Sequence, residues 1–426
     1  MGTGQNKGTM NISRFGHKIK RRSGISQLMV DMGEGLSAED VLMLGGGNPA
    51  HIPEVDQVFR KMMSELLAKS GVFERVVGDY DPPQGNKEFI EVVCGLLRAE
   101  CGWNIKPVNI ALTTGSQSAF FILFNIFAGV YEGGTKKKIL LPLAPEYIGY
   151  ADVGFAEDLF VAAKPDIEHI DEHTFKYHVD FDRLKVGNCI GAICISRPTN
   201  PTANVLTDTE VAKLDNIALA NGIPLIIDNA YGPPFPNIIF TEAKPFWNEN
   251  TIVCMSLSKF GLPATRTGIV IARQEIIEMV TEMNAVMSLG TAGLGAAIAT
   301  ELVRTGEIIR LSRDVIRPYY QDKAKWAIAR LCELLDGVDF HIHKPEGAFF
   351  LWLWLPGLEI SDAELYRRLK KRGVLIVPGH YFFPGLEDDW EHKQQCIRVS
   401  YAQDIDKVTA GLKIIADEIK LACKKS

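Results

Sequence analysis

The chain has 426 residues, of which 46% are hydrophobic and 23% are charged, and its formal net charge is −6. This composition is typical of a folded globular protein, the length suggests about two domains, and the negative charge argues against a nucleic-acid-binding protein. The longest apolar stretch, residues 118–131, contains Asn125 and is too short to span a bilayer, so no membrane segment is expected.

The cysteines and histidines indicate neither disulfides nor a metal site. Eight cysteines are scattered along the chain without a C-x-x-C pair, and several lie in apolar runs. Free thiols in a reducing compartment fit this pattern best, so we predict a cytoplasmic protein. The nine histidines include no H-E-x-x-H motif, and no metal site is predicted.

Apolar strands alternate with helical segments over the first 300 or so positions. Helical spacing of apolar residues predicts helices over 56–69, 87–98 and 205–221, and apolar runs predict strands over 109–113, 138–143, 159–163, 190–195, 223–227, 251–255 and 268–272. Strands that are apolar throughout are typical of a mostly parallel, doubly wound sheet with helices on both faces, which is an α/β fold. In such sheets ligands bind at the carboxyl ends of the strands.

Several of the predicted strands end in residues that packing does not explain. These strand ends carry Gly115, Tyr147, Asn200, Asp228 and Lys259. Ser116 and Gln117 then follow Gly115 directly and open an apolar helix. This order of a strand, a glycine, polar residues and a helix is typical of a helix N-terminus that binds a phosphate.

The stretch around Lys259 suggests a specific chemistry. The strand 251–255 ends in Ser256 and Ser258, Lys259 follows on a loop, and Arg266 lies seven residues further on. Burial and neighbouring cations lower the pKa of an amine, which makes it a nucleophile and a base. An amine beside hydroxyls and a guanidinium predicts an aldehyde cofactor that carries a phosphate, namely pyridoxal phosphate. The alternative is an ordinary surface lysine after a strand.

The pattern changes after about residue 305. A long charged helix over 312–335 is followed by predicted strands at 348–355 and 374–377, helices at 361–372 and 404–422, and an alternating, half-exposed strand at 396–400 that carries Arg398. We therefore predict a large domain over 51–305, a smaller α+β domain over 306–426, and an N-terminal arm over 1–50 that packs on the small domain. Three glycines, 45–47, allow a close approach of backbone to a ligand or a plain turn.

Taken together, these residues resemble the fold-type I pyridoxal-phosphate aminotransferases from about Ser13 onward. The lysine stretch resembles the family's S-x-S-K-x₆-R-x-G pattern, and the Asn-Pro loop at Asn200 and the D-x-x-Y stretch at Asp228 precede it in the family's order. Ala203 departs from the glycine that usually follows Asn-Pro-Thr. The resemblance implies a transferase whose large domain binds pyridoxal phosphate.

The resemblance also implies a role for each residue of the pattern. Lys259 would hold the cofactor covalently and then act as the general base, and Asp228 would keep the pyridine nitrogen protonated. The remaining cofactor contacts would come from Asn200 and Tyr231 at the ring's phenolic oxygen, Tyr147 stacked on the ring, and Ser116, Gln117, Ser256, Ser258 and Arg266 at the phosphate. Arg398 would bind the substrate carboxylate, with Asn200 and Gly47 beside it.

Tyr80 resembles the family tyrosine that reaches the phosphate in the neighbouring subunit, which implies a homodimer with shared active sites. Four stretches, 45–50, 143–150, 196–202 and 377–380, resemble one branch of the family more closely, and this resemblance implies transamination between L-valine and pyruvate as the leading expectation for the reaction. A broader aminotransferase for alanine, aromatic amino acids or kynurenine remains open, because specificity among apolar side chains rests on pocket shape. A pyridoxal-phosphate-dependent lyase and a regulator without activity are less favoured alternatives.

Overall fold

A computed structural model describes residues 11–20, 26, 29–31, 33 and 41–423. The helices are α1 Arg14–Lys20, α2 Pro53–Ala68, α3 Val72–Gly78, α4 Lys87–Cys101, α5 Ser116–Phe127, α6 Asp208–Ala220, α7 Gln274–Ser288, α8 Gly293–Arg304, α9 Glu307–Arg310, α10 Arg317–Leu334, α11 Asp362–Lys371 and α12 Ile405–Ala422. The strands are β1 Leu42–Met43, β2 Ile110–Thr114, β3 Gly129–Val130, β4 Lys136–Leu141, β5 Phe160–Ala162, β6 Pro165–His169, β7 Thr174–Val179, β8 Ile190–Ser196, β9 Leu225–Asp228, β10 Thr251–Ser256, β11 Thr267–Ile271, β12 His341–His343, β13 Phe350–Trp354, β14 Val374–Leu375, β15 Val377–Pro378 and β16 Cys396–Ser400.

The predicted α/β sheet is confirmed as the centre of the fold. Its strand order is β2-β11-β10-β9-β8-β4-β3, with β5 paired to β4. The pairs β10–β9, β9–β8, β8–β4 and β4–β5 are parallel, whereas β11 runs antiparallel to both β10 and β2. Because the parallel strands share a direction, β8, β9 and β10 end at the same edge of the sheet.

Helices cover both faces of this sheet, as the apolar strands predicted. Along β10, Val253 and Met255 belong to one hydrophobic core, while Ile252 and Cys254 belong to a second core on the opposite face. This alternation follows from the period of two residues in a strand. The second core contains the apolar face of α5, including Phe120, so the helix that follows β2 is fixed against the sheet.

A second, mixed sheet lies towards the C-terminal part of the chain. Its order is β15-β16-β13-β12-β7-β6, so a hairpin from the middle of the sequence, residues 165–179, pairs with strands from the C-terminal third. Strand β1 pairs separately with β14. The division at residues 50 and 305 stays a prediction, and much of the predicted arm over 1–50 lies outside the described residues.

The sequence prediction of a half-exposed strand at residues 396–400 is wrong. All five residues of β16 are buried, and Arg398 is only 2% exposed. Strand β16 lies between β13 and β15, where Ile397 and Val399 join the main core. The face that carries Arg398 is covered by Asn200 and by the carbonyl of Gly45, so the polar side of the alternation meets protein instead of solvent.

A buried histidine just before β16 gives the protein a predictable acid sensitivity. His392 is 3% exposed, is stacked on Trp390 with ring centroids 4.4 Å apart, and contacts the hydroxyl of Tyr177. Burial lowers the pKa of His392 from 6.5 to about 3. The unfolded chain therefore takes up a proton here below pH 6.5, whereas the native protein does not, so stability falls as the pH falls through this window.

We expect His392→Phe to reduce this pH dependence. From pH 7 to pH 5 the histidine should account for about 2 kcal/mol of lost unfolding free energy, which the variant no longer shows. The variant is less stable at pH 7 because the Tyr177 hydroxyl loses one of its hydrogen-bond partners and keeps Trp352, but its stability should decline less on acidification. Urea unfolding at both pH values measures the difference, and an equal decline in both proteins would contradict the prediction.

Candidate active site

A cavity of about 390 Å³ lies at the edge of the central sheet where β8, β9 and β10 end. It collects nearly all of the residues singled out from the sequence. Its lining includes Gly47, Ser116, Gln117, Tyr147, Asn200, Asp228, Tyr231, Ser256, Ser258, Lys259, Arg266 and Arg398. Strand ends, the N-terminus of α5 and a strand of the second sheet therefore meet at one place, as expected for a ligand site of a doubly wound sheet.

Lys259 lies on the loop after β10, with its amine inside the cavity. Its Nζ donates a hydrogen bond to the carbonyl of Gly47 at 2.7 Å and lies 5.5 Å from the centre of the Tyr231 ring. No carboxylate of the described residues lies within ion-pair distance of this amine. Burial lowers the pKa of Lys259 to about 8, and the positive charge of Arg398 acts in the same direction. The amine is thus suited to act as a nucleophile and a base near neutral pH.

Asp228 is the last residue of β9 and presents its carboxylate to the same cavity. Its Oδ2 accepts a hydrogen bond from the Tyr150 hydroxyl at 2.7 Å, and its Oδ1 accepts one from the backbone N–H of Ala230 at 3.0 Å. Burial raises the pKa of Asp228, while these hydrogen bonds favour its charged form. The side chain is half-buried and lines the cavity, so a cationic group of a ligand could reach its carboxylate.

Two neutral polar side chains flank the space between Lys259 and Asp228. Asn200 is 8% exposed and follows Pro198 on the loop after β8. The hydroxyl of Tyr231 is fully buried and has no hydrogen-bond partner among the described residues. A buried hydroxyl without a partner costs free energy, so a ligand atom that hydrogen-bonds it would restore that loss.

Ala203 ends the same loop in a conformation that glycine adopts more easily. Its φ is +62° and it is fully buried, and its N–H donates a hydrogen bond to the Thr199 carbonyl at 2.8 Å. The loop therefore keeps its turn despite the departure from glycine noted in the sequence. The cost of a left-handed alanine is about 1–2 kcal/mol.

The end of the cavity near α5 is built to bind an anion. Helix α5 begins at Ser116, and Gly115 precedes it with φ +79°. A Cβ atom on Gly115 would lie 2.0 Å from Nη2 of Arg266, so only glycine lets that guanidinium approach the start of the helix. The Ser256 and Ser258 hydroxyl oxygens lie 2.9 Å apart on the facing loop. Hydroxyls, a guanidinium and a helix N-terminus together favour a phosphate.

The two tyrosines predicted to contact a cofactor lie in different places. Tyr147 forms part of the cavity wall and packs edge-on against Tyr150, with ring centroids 5.3 Å apart. Tyr80 is 79% exposed and does not line the cavity of its own chain. Its predicted contact is with a neighbouring subunit, so this single chain does not test it.

Arg398 projects from β16 and brings a buried positive charge to the cavity. Its Nη1 donates to Oδ1 of Asn200 at 2.5 Å, and its Nη2 donates to the Gly45 carbonyl at 2.6 Å. Its Nε is buried without an acceptor among the described residues. Burial lowers the pKa of Arg398 to about 10, so the side chain stays charged at neutral pH. It stacks over Phe350 at 4.2 Å from the ring centre, which fixes the guanidinium plane.

The sequence prediction assigned no role to several residues that shape this site. Tyr150 is completely buried and holds Asp228, and Glu146 and Ser196 lie behind it in contact with one another. A tyrosine three positions after Tyr147, within a turn that follows a strand, was the available signal. Within the described ranges, no cluster of His, Cys, Asp or Glu is able to hold a metal ion, and none of the described helices could cross a membrane.

The profile of the family described as Aminotransferase class I and II matches residues 40–415, which is most of the chain, and the protein belongs to this family. It is an aminotransferase, and the mostly parallel sheet with its cavity at the strand ends is the fold of this enzyme class.

Individual relatives and solved structures are similar to the chain over nearly its whole length. The chain is 52% identical over 417 residues to the valine–pyruvate aminotransferase of Escherichia coli K12, covering 98% of this chain and all of the relative. The crystal structure of valine–pyruvate aminotransferase from Salmonella typhimurium LT2 superposes with a TM-score of 0.86 at 51% identity, covering 93% of this chain and 99% of that one. A structure from Psychrobacter arcticum 273-4 gives a TM-score of 0.94 at 47% identity, over 97% of this chain and 99% of that one.

Proposed function

We propose that this protein transfers the amino group of L-valine to pyruvate with pyridoxal 5′-phosphate as cofactor, giving 3-methyl-2-oxobutanoate and L-alanine. The observation that carries the proposal is that the amine of Lys259 and the carboxylate of Asp228 line one cavity, in a chain 52% identical to a valine–pyruvate aminotransferase. An amine and an acid facing one cavity are the two groups that this cofactor needs on the protein.

The residues present fit pyridoxal phosphate on independent grounds. The buried Tyr231 hydroxyl lacks a partner, which suits a hydrogen bond to the phenolic oxygen of the ring, with Asn200 beside it. The clash that a Cβ atom on Gly115 would make with Arg266 supports a close-packed phosphate site at the start of α5. Ser116, Gln117, Ser256 and Ser258 complete this site, and Tyr147 would stack on the ring.

The chemistry divides between the cofactor and the protein's own side chains. When bound, pyridoxal phosphate supplies an aldehyde that takes the amino group and a ring that accepts electrons. Lys259 would hold the cofactor covalently. As a free amine, Lys259 would then remove the proton from the substrate Cα and pass it to C4′ of the cofactor. Asp228 would keep a proton on the ring nitrogen through an ion pair in a low-dielectric site.

Arg398 would bind the α-carboxylate that valine and pyruvate both carry, with Asn200 and Gly47 beside it. Its guanidinium is buried and held in one plane over Phe350, and its Nε–H is without an acceptor in the described structure. A planar fork matches a carboxylate with two parallel hydrogen bonds, which the single ammonium of lysine cannot do.

Arg398→Lys should therefore raise KM for valine and for pyruvate by about 100-fold, because the charge remains but the paired hydrogen bonds are lost. The visible absorbance of the bound cofactor should be unchanged. Steady-state kinetics with each substrate varied in turn measure the effect. Unaltered KM values for both substrates would show that another group binds the carboxylate.

Gly115→Ala should weaken the binding of pyridoxal phosphate by at least about tenfold, since Arg266 must move away from the anion site. Gly102→Ala is the matched control, because Gly102 also has a positive φ of +68° but nothing lies within 4 Å of its Cβ position. Both variants lose stability from backbone strain, and only the first should lose affinity in a cofactor titration. If the two variants bound pyridoxal phosphate with equal affinity, Arg266 would not belong to the phosphate site.

We also propose that the active enzyme is a homodimer with shared active sites. Tyr80 is 79% exposed and Leu289 is 64% exposed, and the glycine after Leu289 lies against the backbone of Asp81. Large apolar side chains exposed side by side favour a protein interface. Tyr80 would then reach the phosphate of the partner's site, and sedimentation should give the mass of two chains.

Two coarser assignments complete the proposal. We propose a large cofactor domain over 51–305, a small domain over 306–426 and an arm over 1–50 that packs on the latter. The pairing of β1 with β14 is consistent with such an arm. All eight cysteines are free, which supports a reducing compartment, so we propose that the enzyme is cytoplasmic.

Incubating the cofactor-loaded protein with valine and pyruvate tests the reaction, and alanine and 3-methyl-2-oxobutanoate should accumulate in equal amounts. Replacing valine with aromatic amino acids or kynurenine separates this enzyme from one of broad specificity, because these should react poorly. Cysteine derivatives without an oxo acid test for a lyase, which would release pyruvate and ammonia. Failure to form alanine with cofactor bound would overturn the substrate assignment.

A further inference from the structure

A chain of buried oxygen atoms runs away from Asp228 to a second carboxyl group. The Tyr150 hydroxyl lies 2.7 Å from Oδ2 of Asp228 and 3.2 Å from the Ser196 hydroxyl, and the Ser196 hydroxyl lies 2.6 Å from Oε2 of Glu146. Glu146, Ser196 and Tyr150 are at most 3% exposed. Ser196 lines the cavity, whereas Glu146 and Tyr150 do not, so the three contacts depend first on the protons that Glu146, Ser196 and Tyr150 carry.

Counting protons shows which state of Glu146 fits the geometry. If Glu146 were ionised, Ser196 would donate to Glu146 and Tyr150 to Asp228, and no proton would remain for the contact between Ser196 and Tyr150. If Glu146 is protonated, it donates to Ser196, Ser196 donates to Tyr150, and Tyr150 donates to Asp228. Three contacts then have three protons, and every hydrogen bond points towards Asp228.

The surroundings of Glu146 favour the neutral acid. No cation of the described residues forms an ion pair with it, and its other contacts are the N–H groups of Ser196 at 2.9 Å and Tyr147 at 3.2 Å. Burial raises the pKa of Glu146 to about 8, and the negative charge of Asp228 acts in the same direction. A carboxylic acid accepts both N–H groups and still has one O–H to donate.

We propose that Glu146 is a neutral carboxylic acid that orients the Ser196 and Tyr150 hydroxyls towards Asp228 and so keeps the negative charge of the site on Asp228. Glu146 is a positioning residue, because it reaches the site only through Ser196 and Tyr150. The consequence for a ring nitrogen rests on the proposed function, whereas the protonation state of Glu146 does not. A charge fixed on Asp228 is what an ion pair with that nitrogen requires.

Infrared difference spectroscopy of the cofactor-loaded enzyme at pH 7 tests the protonation state directly. The carbonyl band of a protonated carboxyl group should be present in the wild type and absent from Glu146→Gln. Glu91→Gln, at an exposed position on α4, is the matched control and should keep the band. If the wild type and Glu146→Gln did not differ in this carbonyl band, Glu146 would be ionised in the wild type, and this result would overturn the proposal.

Ser196→Ala provides a second readout that leaves Glu146 in place. The band should shift to higher frequency, because the acid loses the acceptor of its O–H group; an unshifted band would also overturn the proposal.

In turnover, Glu146→Ala should reduce kcat about tenfold, the scale on which groups that orient a functional side chain act. Glu146→Gln should restore most of this loss, since an amide also donates to Ser196. The infrared results do not depend on which amino acid is the substrate. They therefore test the protonation state of Glu146 separately from the proposed reaction.

Discussion

Lys259→Ala should reduce the rate of alanine formation from valine and pyruvate by at least about 10⁴-fold, because one amine supplies both the covalent attachment and the general base. The visible absorbance of the bound cofactor should disappear or change with it. Lys259 is the lysine whose amine lies in the cavity beside Asp228, with a pKa lowered to about 8 by burial. Single-turnover kinetics with purified variant protein measure the loss.

Lys323→Ala is the matched control for this result. Lys323 is half-buried, donates a hydrogen bond to the Ala402 carbonyl at 3.3 Å, and has a pKa lowered by burial, but it does not line the cavity. Its replacement should affect stability and leave turnover close to the wild-type value. If Lys259→Ala kept both its absorbance and its turnover, another lysine would carry the chemistry.

Asp228→Asn should have the second largest effect, with kcat lower by about 10²–10³-fold, the scale expected when one electrostatic partner of a developing charge is lost. Asparagine keeps the size of the side chain and an oxygen for the Ala230 N–H, so the change removes the charge together with the hydrogen bond that Oδ2 accepts from Tyr150. Without that charge the ring nitrogen would lose its proton, and the substrate Cα would become harder to deprotonate. The visible spectrum as a function of pH and the rate of Cα–H exchange measure the two effects.

Asp215→Asn separates this effect from a general loss of a buried carboxylate. Asp215 is 5% exposed, accepts a hydrogen bond from Asn248 at 2.6 Å and does not line the cavity. Its variant should unfold more easily but turn over substrate at nearly the wild-type rate. Equal losses of kcat in the two variants would mean that Asp228 has only a structural role.

The sequence was sufficient to predict most of the residues that line the cavity, because the cavity lies where the strands of this fold end. Parallel strands with a common direction end together, so residues that are far apart in sequence, such as Asn200, Asp228 and Lys259, had to lie close together once a mostly parallel sheet was predicted. Strands β8 and β10 lie within a residue of their predicted bounds. The structure agrees because hydrophobic periodicity and strand-end polarity depend only on local sequence.

Features that depend on contacts between distant segments could not be predicted in this way. The β6–β7 hairpin pairs with β12 in the second sheet, and no pattern within residues 165–179 indicates that partner. The alternation around Arg398 predicted a solvent-facing side, whereas the structure covers it with Asn200 and Gly45. Glu146 would be interpreted as a solvated charge from sequence alone, and its burial behind Ser196 is what supports the proposal of a neutral acid.

Pyridoxal phosphate should be attached to the protein through the amine of Lys259. Reduction of the cofactor-loaded protein with borohydride, followed by proteolysis and peptide mass spectrometry, locates the attachment. We expect the added mass on the one peptide that contains Lys259, and its loss when the protein is incubated with valine before reduction. Modification of a different lysine, or of none, would show that Lys259 does not hold the cofactor.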